Sequence, residues 1–501
     1  MTLFRRISAL ALTLVLVLAM TAGIVQAKPR KSVTGQSSSE GTVNETAAET
    51  TQLTGADTLH DLDPRYHPEA TGELNVLLVP VVWMDALYLA TDDTLNSIKS
   101  EFGRFQGANG GSGVDYSEHM SSNIRFSLSE YFDIASYGNL TIHTTAVEWI
   151  YHPLGFDDWK TKQPTETDYI ETITDCLVRQ YPDRDWSNFD RDGNGYFDAV
   201  VIVNVSSTVP EEFDARSFGG GAYFELSEGE IYRDEEGIPL INNFISINYN
   251  RMNSNLLIHE FGHLLGLTDY HDATAVKADP VGGFDMQSGM MGDWNPYSKY
   301  AAGWIDPTVV DLEPGETAEF TIGASCDTGD TLLIPVNKRT FDGPFNEYIL
   351  VDLFTAGGVN VHDAIEFGLG GLFTDADDLE DLYGVRIYHV DARMARQTRK
   401  VDAHTIEETG VPMSTNAYSA EGNYHLELIQ AGRVNTFTNQ ENLRTSLEME
   451  DLFRAGMTFS VDAYSEFFHE GKMNDGSDFN YTIEVVTVSA EEAVIRVTAT
   501  E

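Results

Sequence analysis

Cysteine is scarce in this sequence. Only Cys176 and Cys326 occur among 501 residues, which excludes a disulfide framework and leaves at most a single bridge between the two. Hydrophobic residues make up 42% of the chain, and this length and composition suffice for two or three domains that each bury a core. Stability must therefore come mainly from core packing and from any bound ions.

Basic side chains are few. The chain has 31 lysines and arginines against 79 aspartates and glutamates, a formal net charge of -48. This charge repels nucleic acids and anionic membranes and attracts cations, so we expect no nucleic-acid partner. For most of the acidic residues the simplest interpretation is that they keep the protein in solution.

Long apolar runs are also rare, and the longest begins near the start of the chain. It opens at Ile7, directly after Arg5 and Arg6, and leads to the small residue Ala27. This order is typical of a secretory signal peptide, which we assign to residues 1–27. The alternative is an uncleaved membrane anchor, because the run approaches the ~20 residues that span a bilayer. We predict cleavage and a secreted, extracellular product with no membrane partner, since no later run is apolar enough to span a bilayer.

Composition divides the rest of the chain into three parts. Residues 28–72 are rich in Ser, Thr, Gly and Glu and poor in large apolar residues, so we expect a flexible leader or short pro-segment that cannot offset the entropy cost of ordering. Residues 73–306 mix helical and strand patterns and form a predicted central domain. Residues 307–501 are β-rich, and the predicted fold class is therefore α+β.

Periodicity predicts the individual elements. Two nearly continuous apolar runs, at residues 74–82 and 199–203, suit strands buried on both faces. Helical spacing predicts helices at residues 128–135 and 165–179. Gly138 ends the first of these helices before an alternating strand. Alternating or short apolar segments predict C-terminal strands of one or two sandwich-like modules at residues 319–323, 348–353, 385–390, 424–429 and 481–498.

The segment His259-Glu260-Phe261-Gly262-His263 carries the strongest functional signal. Histidines four positions apart lie about one helical turn from each other, so both imidazoles project from one face and can bind one Zn²⁺. Zinc lowers the pKa of a bound water towards ~7, and Glu260 has the spacing of the carboxylate that takes the water proton. Copies of this five-residue pattern also occur by chance in helices that bind nothing.

A third metal ligand is expected just beyond this segment. Gly266 stands where the helix can end and the chain reverse, which would bring Asp269 back towards the metal. Metzincin peptidases place a third ligand, usually histidine, after such a glycine turn, and a carboxylate also binds zinc well. His271 and Asp272 follow closely and remain alternatives if the turn is wider.

A methionine in the glycine-bounded segment 282–292 has the placement of a metzincin Met-turn, the hydrophobic floor beneath the metal. Met286 is our candidate for this floor, in preference to Met290 and Met291. Methionine also fills irregular cores without any functional role. The metal motif upstream is what favours the functional interpretation here.

Several segments together resemble the immune inhibitor A-like metallopeptidase family. The resemblance rests on residues 128–132, 136–140, 259–272, 282–286, 295–299, 303–305 and 384–391. It implies a bacterial secreted endopeptidase that acts on proteins or peptides, with one catalytic zinc on His259, His263 and Asp269 and with Glu260 as the catalytic base. It also implies a metzincin-like catalytic domain followed by the β-rich, sandwich-like C-terminal region.

An acidic loop at residues 190–198 predicts a structural calcium ion. Oxygen-bearing groups alternate around a glycine turn, which is the geometry that surrounds Ca²⁺, and the candidate ligands are Asp190, Asp192, Asn194, Tyr196 through its backbone carbonyl, and Asp198. The bidentate glutamate of a full EF-hand is missing, because Val201 occupies its place. The alternative is a surface turn without an ion, stabilised by side-chain to backbone hydrogen bonds.

Other function classes are less well supported. A catalytically silent extracellular adhesin or binding protein could keep the peptidase fold, but Glu260 and the candidate ligands all stand at usable spacing. A hydrolase that uses serine or cysteine finds no support, because the sequence contains no Gly-x-Ser-x-Gly elbow and Cys176 has no motif around it. His389 and Asp391 share one face of a predicted strand, and without a third ligand nearby we interpret them as structural.

Overall fold

The computed structural model describes a large part of the chain. The described residues are 52, 55–103, 126–162, 165–206, 221–226, 238–272, 278–361, 363, 382–400, 406–416, 423–439, 441–444 and 446–500. The predicted signal peptide and residues 28–51 of the predicted leader lie outside them. Within the described residues, no helix is long and apolar enough to cross a membrane.

The described residues form eight α-helices, numbered in chain order. They are α1 (Leu59–Leu62), α2 (Asp92–Phe102), α3 (Leu128–Ala135), α4 (Phe156–Thr161), α5 (Glu166–Gln180), α6 (Ser254–Leu264), α7 (Pro296–Ala301) and α8 (Ser325–Thr328). Short 3-10 segments occur at Met84–Leu89, Ser187–Phe189, Tyr249–Arg251, Met449–Asp451, Val461–Tyr464 and His469–Gly471. The predicted helices at 128–135 and 165–179 are confirmed as α3 and α5. Both begin at a capping box, formed by Ser127 with Glu130 and by Thr165 with Asp168.

The first half of the chain forms a mixed sheet whose strands are mostly parallel. Its strands are β1 (Gly72–Val82), β2 (Leu140–Ala146), β3 (Ile150–Tyr151), β4 (Val200–Val205), β5 (Gly221–Glu225) and β6 (Asn243–Asn248). The order is β2-β1-β4-β6-β5, with β3 also paired to β1. Only β5, beside β6, is antiparallel to its neighbour. The predicted buried strands are confirmed as β1 and β4, whose side chains are covered on both faces.

Helices cover both faces of this sheet. On β1, Leu77, Val79 and Val81 belong to one core, which they share with the buried residues of α5. The alternate residues of β1, including Val76 and Leu78, belong to a second core together with α3 and α6. This alternation follows from the period of two in a strand. Helix α6, which carries the histidine motif, therefore packs on the sheet beside β5 and β6.

The second half of the chain is β-rich, as its pattern predicted, and its strands pair mostly antiparallel. They are β7 (Thr308–Val309), β8 (Thr317–Gly323), β9 (Thr331–Pro335), β10 (Glu347–Thr355), β11 (Tyr383–Asp391), β12 (Met394–Lys400), β13 (Ile406–Pro412), β14 (Leu426–Leu428), β15 (Thr458–Phe459), β16 (Tyr481–Val488) and β17 (Glu492–Ala499). A five-stranded sheet has the order β14-β11-β10-β9-β7, in which β7 alone pairs in parallel, and a four-stranded sheet has the order β15-β16-β17-β8. The predicted strand at 481–498 is a hairpin of β16 and β17. The chain thus combines helices with several sheets, which agrees with the predicted α+β class.

The two halves share a core across the predicted boundary at residues 306 and 307. One face of the five-stranded sheet, with Leu350 and Val390, joins the core that also contains α6. The opposite face, with Val351 and Ile387, packs against the four-stranded sheet as in a sandwich. The five-stranded sheet therefore lies between the core that contains α6 and the four-stranded sheet.

Order begins earlier than the predicted leader allows. Residues Leu59, Leu62 and Tyr66 are at most 9% exposed, and the Tyr66 hydroxyl donates to the Leu226 carbonyl over 2.8 Å. Ala70 also accepts a hydrogen bond from the Trp304 indole. The prediction of a flexible segment through residue 72 was wrong for this stretch, because a few apolar anchors are enough when they are buried against distant elements.

The two cysteines are not bridged. Cys176 lies in α5 and packs on the core beside that helix, whereas Cys326 lies in α8 and belongs to the sandwich core. Both thiols are free. The single bridge that composition left open is therefore absent, and the described fold depends on packing and hydrogen bonding.

Candidate metal centre

Helix α6 places two histidines on one face. Its N-cap is Asn253, whose side chain accepts a hydrogen bond from the Leu256 amide over 3.0 Å. One turn apart, the imidazoles of His259 and His263 have ring centroids 4.7 Å apart, and their Nε2 atoms are separated by 3.2 Å. The predicted helical arrangement of the motif is present.

The protonation of both rings follows from their Nδ1 contacts. Nδ1 of His259 lies 2.8 Å from the Met286 carbonyl, and Nδ1 of His263 lies 2.9 Å from the Leu267 carbonyl. A carbonyl can only accept, so Nδ1 carries the proton in each ring and a neutral ring has its lone pair on Nε2. Such contacts orient histidines that bind metals.

The turn after α6 brings Asp269 to these nitrogens. Gly266 has a φ of 107°, a region that glycine enters without strain, and its amide donates to the His263 carbonyl. Oδ1 of Asp269 lies 3.2 Å from Nε2 of His259 and 3.4 Å from Nε2 of His263. We call His259, His263 and Asp269 the metal triad.

The metal triad is the one set of its kind in the part of the chain that the structure describes. Its three ligand atoms all lie within 4.8 Å of one another. Oδ1 of Asp269 is buried, and no described donor is aligned on it as a hydrogen-bond partner. The two alternative ligands, His271 and Asp272, are not part of this set. Nδ1 of His271 lies 3.9 Å from Asp269 Oδ1.

The pKa values of His263 and Asp269 in the metal triad depend strongly on the charges of their neighbours. Burial alone lowers the pKa of His263, but the Asp269 carboxylate outweighs this effect and raises the pKa to about 9. Burial would raise the pKa of Asp269, yet its attraction to the histidines holds the pKa well below the usual range. The site therefore favours a positive charge among the three side chains.

Glu260 lies beside the metal triad and is held by the edge strand. Glu260 is 6% exposed, and its Oε2 accepts a hydrogen bond from the backbone amide of Tyr223 in β5 over 2.8 Å. Burial raises the pKa of Glu260, while the positive charges of His259 and His263 act in the opposite direction. A carboxylate with a raised pKa is a more effective proton acceptor near neutral pH.

The Met286 turn supports the metal triad through its backbone. Met286 is 1% exposed and provides the carbonyl that holds His259. Asp285 fixes the turn, because Oδ2 accepts both the backbone amide and the side-chain amide of Asn295, the N-cap of α7, over 3.0 and 2.9 Å. Sequence reasoning selected this methionine for its side chain and missed its carbonyl.

Sequence reasoning also missed Tyr223 and Gln287. Gln287 is fully buried and its side-chain amide donates to the His259 carbonyl over 3.2 Å. Both residues act on the motif from distant parts of the chain, so no local spacing indicates them. The only signal for Gln287 was its position directly after the selected methionine.

The predicted calcium loop is an ordered turn. Gly193 and Gly195 have positive φ values of 70° and 88°. The loop's side-chain oxygens accept backbone amides: Asp190 from Gly195, Asp192 from Asn194, Asn194 from Tyr196, and Asp198 from Arg191. The oxygen atoms of these carboxylates are not grouped as closely as the three ligand atoms of the metal triad. Burial raises the pKa of Asp198 to about 6, and burial with the nearby Asp192 raises that of Asp190.

His389 and Asp391 are engaged with protein partners. Nε2 of His389 lies 2.9 Å from Oε1 of Glu347, and Oδ1 of Asp391 lies 2.6 Å from Nε of Arg393. Glu347 pairs with Asp391 across β10 and β11. These contacts agree with the structural interpretation.

Comparison with models of known protein families finds no match to this chain, and comparison with curated proteins finds none either.

Proposed function

We propose that the protein is a secreted zinc-dependent endopeptidase of the immune inhibitor A-like type, with a metzincin-like catalytic region. The metal triad would bind the zinc, and Glu260 would act as the catalytic base. Its substrates would be extracellular proteins or peptides. The observation that carries the proposal is the convergence of three ligand atoms beside a buried glutamate.

The donor set fits zinc. Two imidazole nitrogens and one carboxylate oxygen are ligands that catalytic zinc uses, and three protein ligands leave a position for water. Three such atoms 3.2 to 3.4 Å apart would repel one another without a positive charge between them.

Each residue has a defined task in this proposal. Zinc, when bound, acidifies a water molecule and polarises the peptide carbonyl. Glu260 would act as the group that accepts a proton at its carboxylate and passes it to the leaving amine. The Tyr223 amide holds one carboxylate oxygen of Glu260, so the orientation of the base depends on β5. Asp269 balances the charge of the metal.

Proteolysis and zinc content, measured together, test this proposal. The full secreted chain should cleave casein, and a zinc chelator should stop the cleavage. Glu260→Gln keeps the size of the side chain but cannot accept the proton, so it should retain zinc and lose activity. Glu427→Gln, a change at a 3% exposed glutamate in β14, is the matched control and should retain both. Zinc without cleavage in the unaltered chain would favour a silent binding protein, and absence of zinc would refute the proposal.

We further propose that residues 190–198 hold a structural Ca²⁺. One oxygen of Asp190 is buried without a hydrogen-bond partner among the described residues, and the raised pKa values of Asp190 and Asp198 reflect carboxylates without sufficient compensating positive charge. Calcium at ten times its dissociation constant should stabilise the fold by about 1.4 kcal/mol. Asp192→Ala should remove this gain, whereas the exposed Asp183→Ala should not. Equal unfolding curves with and without calcium would refute the site.

A further inference from the structure

Gln287 lies where the segments of the candidate metal centre meet. Its backbone carbonyl accepts the amide of Tyr270, the residue after the ligand Asp269, over 2.9 Å. Its side-chain Nε2 donates to the His259 carbonyl over 3.2 Å, and its backbone amide donates to Asp285 Oδ1 over 2.8 Å. One fully buried residue thus connects the helix that carries two candidate ligands to the segment that carries the third.

The same side chain determines which residue α6 can carry at position 262. A Cβ atom added to Gly262 would lie 2.2 Å from Oε1, 2.6 Å from Cδ and 2.8 Å from Nε2 of Gln287. Real Cβ atoms do not approach other heavy atoms so closely. The glycine between Glu260 and His263 therefore provides the space in which the Gln287 amide contacts the helix. Glycine is otherwise unfavourable inside a helix by about 1 kcal/mol relative to alanine.

Stability alone does not explain a glutamine at this place. Oε1 of Gln287 is buried without a hydrogen-bond partner among the described residues, and an unsatisfied buried acceptor costs about 1–3 kcal/mol. An apolar side chain of similar size would avoid this cost. What the amide adds is a directional contact to the backbone of a candidate ligand, next to the Met286 carbonyl that orients the same imidazole.

We propose that Gln287 is a positioning residue for the metal, one that sets the distance and angle of Asp269 relative to His259 and His263. The inference rests on the proposed function, because it requires zinc at the metal triad. Groups that hold metal ligands through hydrogen bonds typically change metal affinity by about 10–100-fold when they are removed. The Gln287 side chain acts on His259 by donating to the His259 backbone carbonyl. Gln287 acts on Asp269 through its own backbone carbonyl, which accepts the amide of the neighbouring Tyr270.

Gln287→Leu in the full chain is the first test. It removes the donor together with the unsatisfied acceptor and nearly conserves volume. We expect the dissociation constant for zinc, measured by competition with a chelator, to rise about 10–100-fold. The visible spectrum of the cobalt-substituted protein should also change, since the ligand geometry changes. Unfolding of the metal-free protein should occur at the same or a higher denaturant concentration.

Gln430→Leu is the matched control. Gln430 is 2% exposed and uses its amide on Thr436 and Asp451, away from α6 and the Asp269 segment. This variant should lose stability without any change in zinc affinity or cobalt spectrum. Loss of stability with unchanged zinc affinity in Gln287→Leu as well would mean that Gln287 is only structural, and would overturn the inference.

A second pair of variants tests the contact even if Gln287→Leu folds poorly. Gly262→Ala should weaken zinc binding when Gln287 is present, because the added methyl displaces its amide. In a Gln287→Ala background the same methyl has space, so Gly262→Ala should have little further effect. Additive effects of the two changes on zinc affinity would contradict the inference. An unaltered protein that binds no zinc would refute the proposed function, and the inference would fall with it.

Discussion

Among the described residues, a partly buried and a buried group of histidine and carboxylate side chains differ in their hydrogen bonding. In the metal triad, lone-pair atoms of His259, His263 and Asp269 face one another, and Asp269 Oδ1 has no aligned donor among the described residues. In the second group, which we call the sheet cluster, each acid has its own protein donors. Its members are Glu347, His389, Asp391, Arg393 and Glu427.

The sheet cluster shows how a fold satisfies buried charge by itself. Glu347 accepts the His389 ring over 2.9 Å and the backbone amides of Asn474 and Asp475 over 2.6 and 2.9 Å. The two carboxylate oxygens of Asp391 accept hydrogen bonds from Nε and Nη2 of Arg393. Buried charges that are paired in this way do not need an ion. Both groups contain residue types that bind metals. What distinguishes the candidate metal site is therefore a carboxylate oxygen without an aligned hydrogen-bond donor among the described residues.

Exchange of the candidate ligand carboxylate, that of Asp269, for an amide should give the largest effect. Four-ligand zinc sites bind with about 10–16 kcal/mol, so one ligand is worth about 2.5–4 kcal/mol, or roughly 70- to 900-fold in affinity. Asp269→Asn should therefore weaken zinc binding by this factor, as measured by chelator competition. Asp391→Asn removes an equivalent negative charge from the sheet cluster and should leave zinc affinity unchanged. Equal zinc affinities in the Asp269→Asn and unaltered proteins would refute the assignment of the third ligand.

Local signals in the sequence predicted much of the fold. The helix at 128–135 agrees with α3 because its capping box and glycine stop are encoded within a few residues. The spacing of His259 and His263 likewise needs only one helical turn. The ordered stretch around Leu59 and Tyr66 was missed, since its few apolar residues are stabilised by partners more than 100 positions away, such as Leu226.

The support around the metal triad depends on the same kind of distant contact. Tyr223 reaches Glu260 from an edge strand, and Gln287 reaches the His259 carbonyl from the Met286 turn. Neither contact leaves a periodic pattern in the sequence. The choice of Asp269 over His271 also required the direction of the chain after Gly266, which spacing alone does not determine.

Breaking the sheet cluster should instead affect folding. Asp391 is fully buried and pairs with Arg393, whose side chain is 18% exposed. Removing one partner of a buried ion pair costs about 3–5 kcal/mol, and the partial exposure of Arg393 favours the lower end. Asp391→Asn should therefore lower the free energy of unfolding by about 3 kcal/mol in urea titrations. Asp311→Asn, which alters an exposed pair with Lys338, should change it by less than about 1 kcal/mol. Similar losses in both variants would contradict this account of the sheet cluster.

The smallest effect should be a dependence on pH at the edge of the sheet cluster. Burial raises the pKa of Glu427 from 4.5 to about 7, although His389 and Asn435 oppose the shift. A folded-state pKa above the unfolded value means that the folded protein binds the extra proton, so stability falls as pH rises from about 4.5 to about 7. Glu427→Gln can still accept the Asn435 amide and carries no charge. Its stability relative to the unaltered protein should therefore increase across this window by about 2–3 kcal/mol, whereas the exposed Glu441→Gln should show a flat difference. If the stability difference for Glu427→Gln also does not change with pH, the Glu427 carboxyl is charged in the folded protein without loss of stability. The sheet cluster would then compensate the charge of Glu427 more fully than its hydrogen bonds indicate.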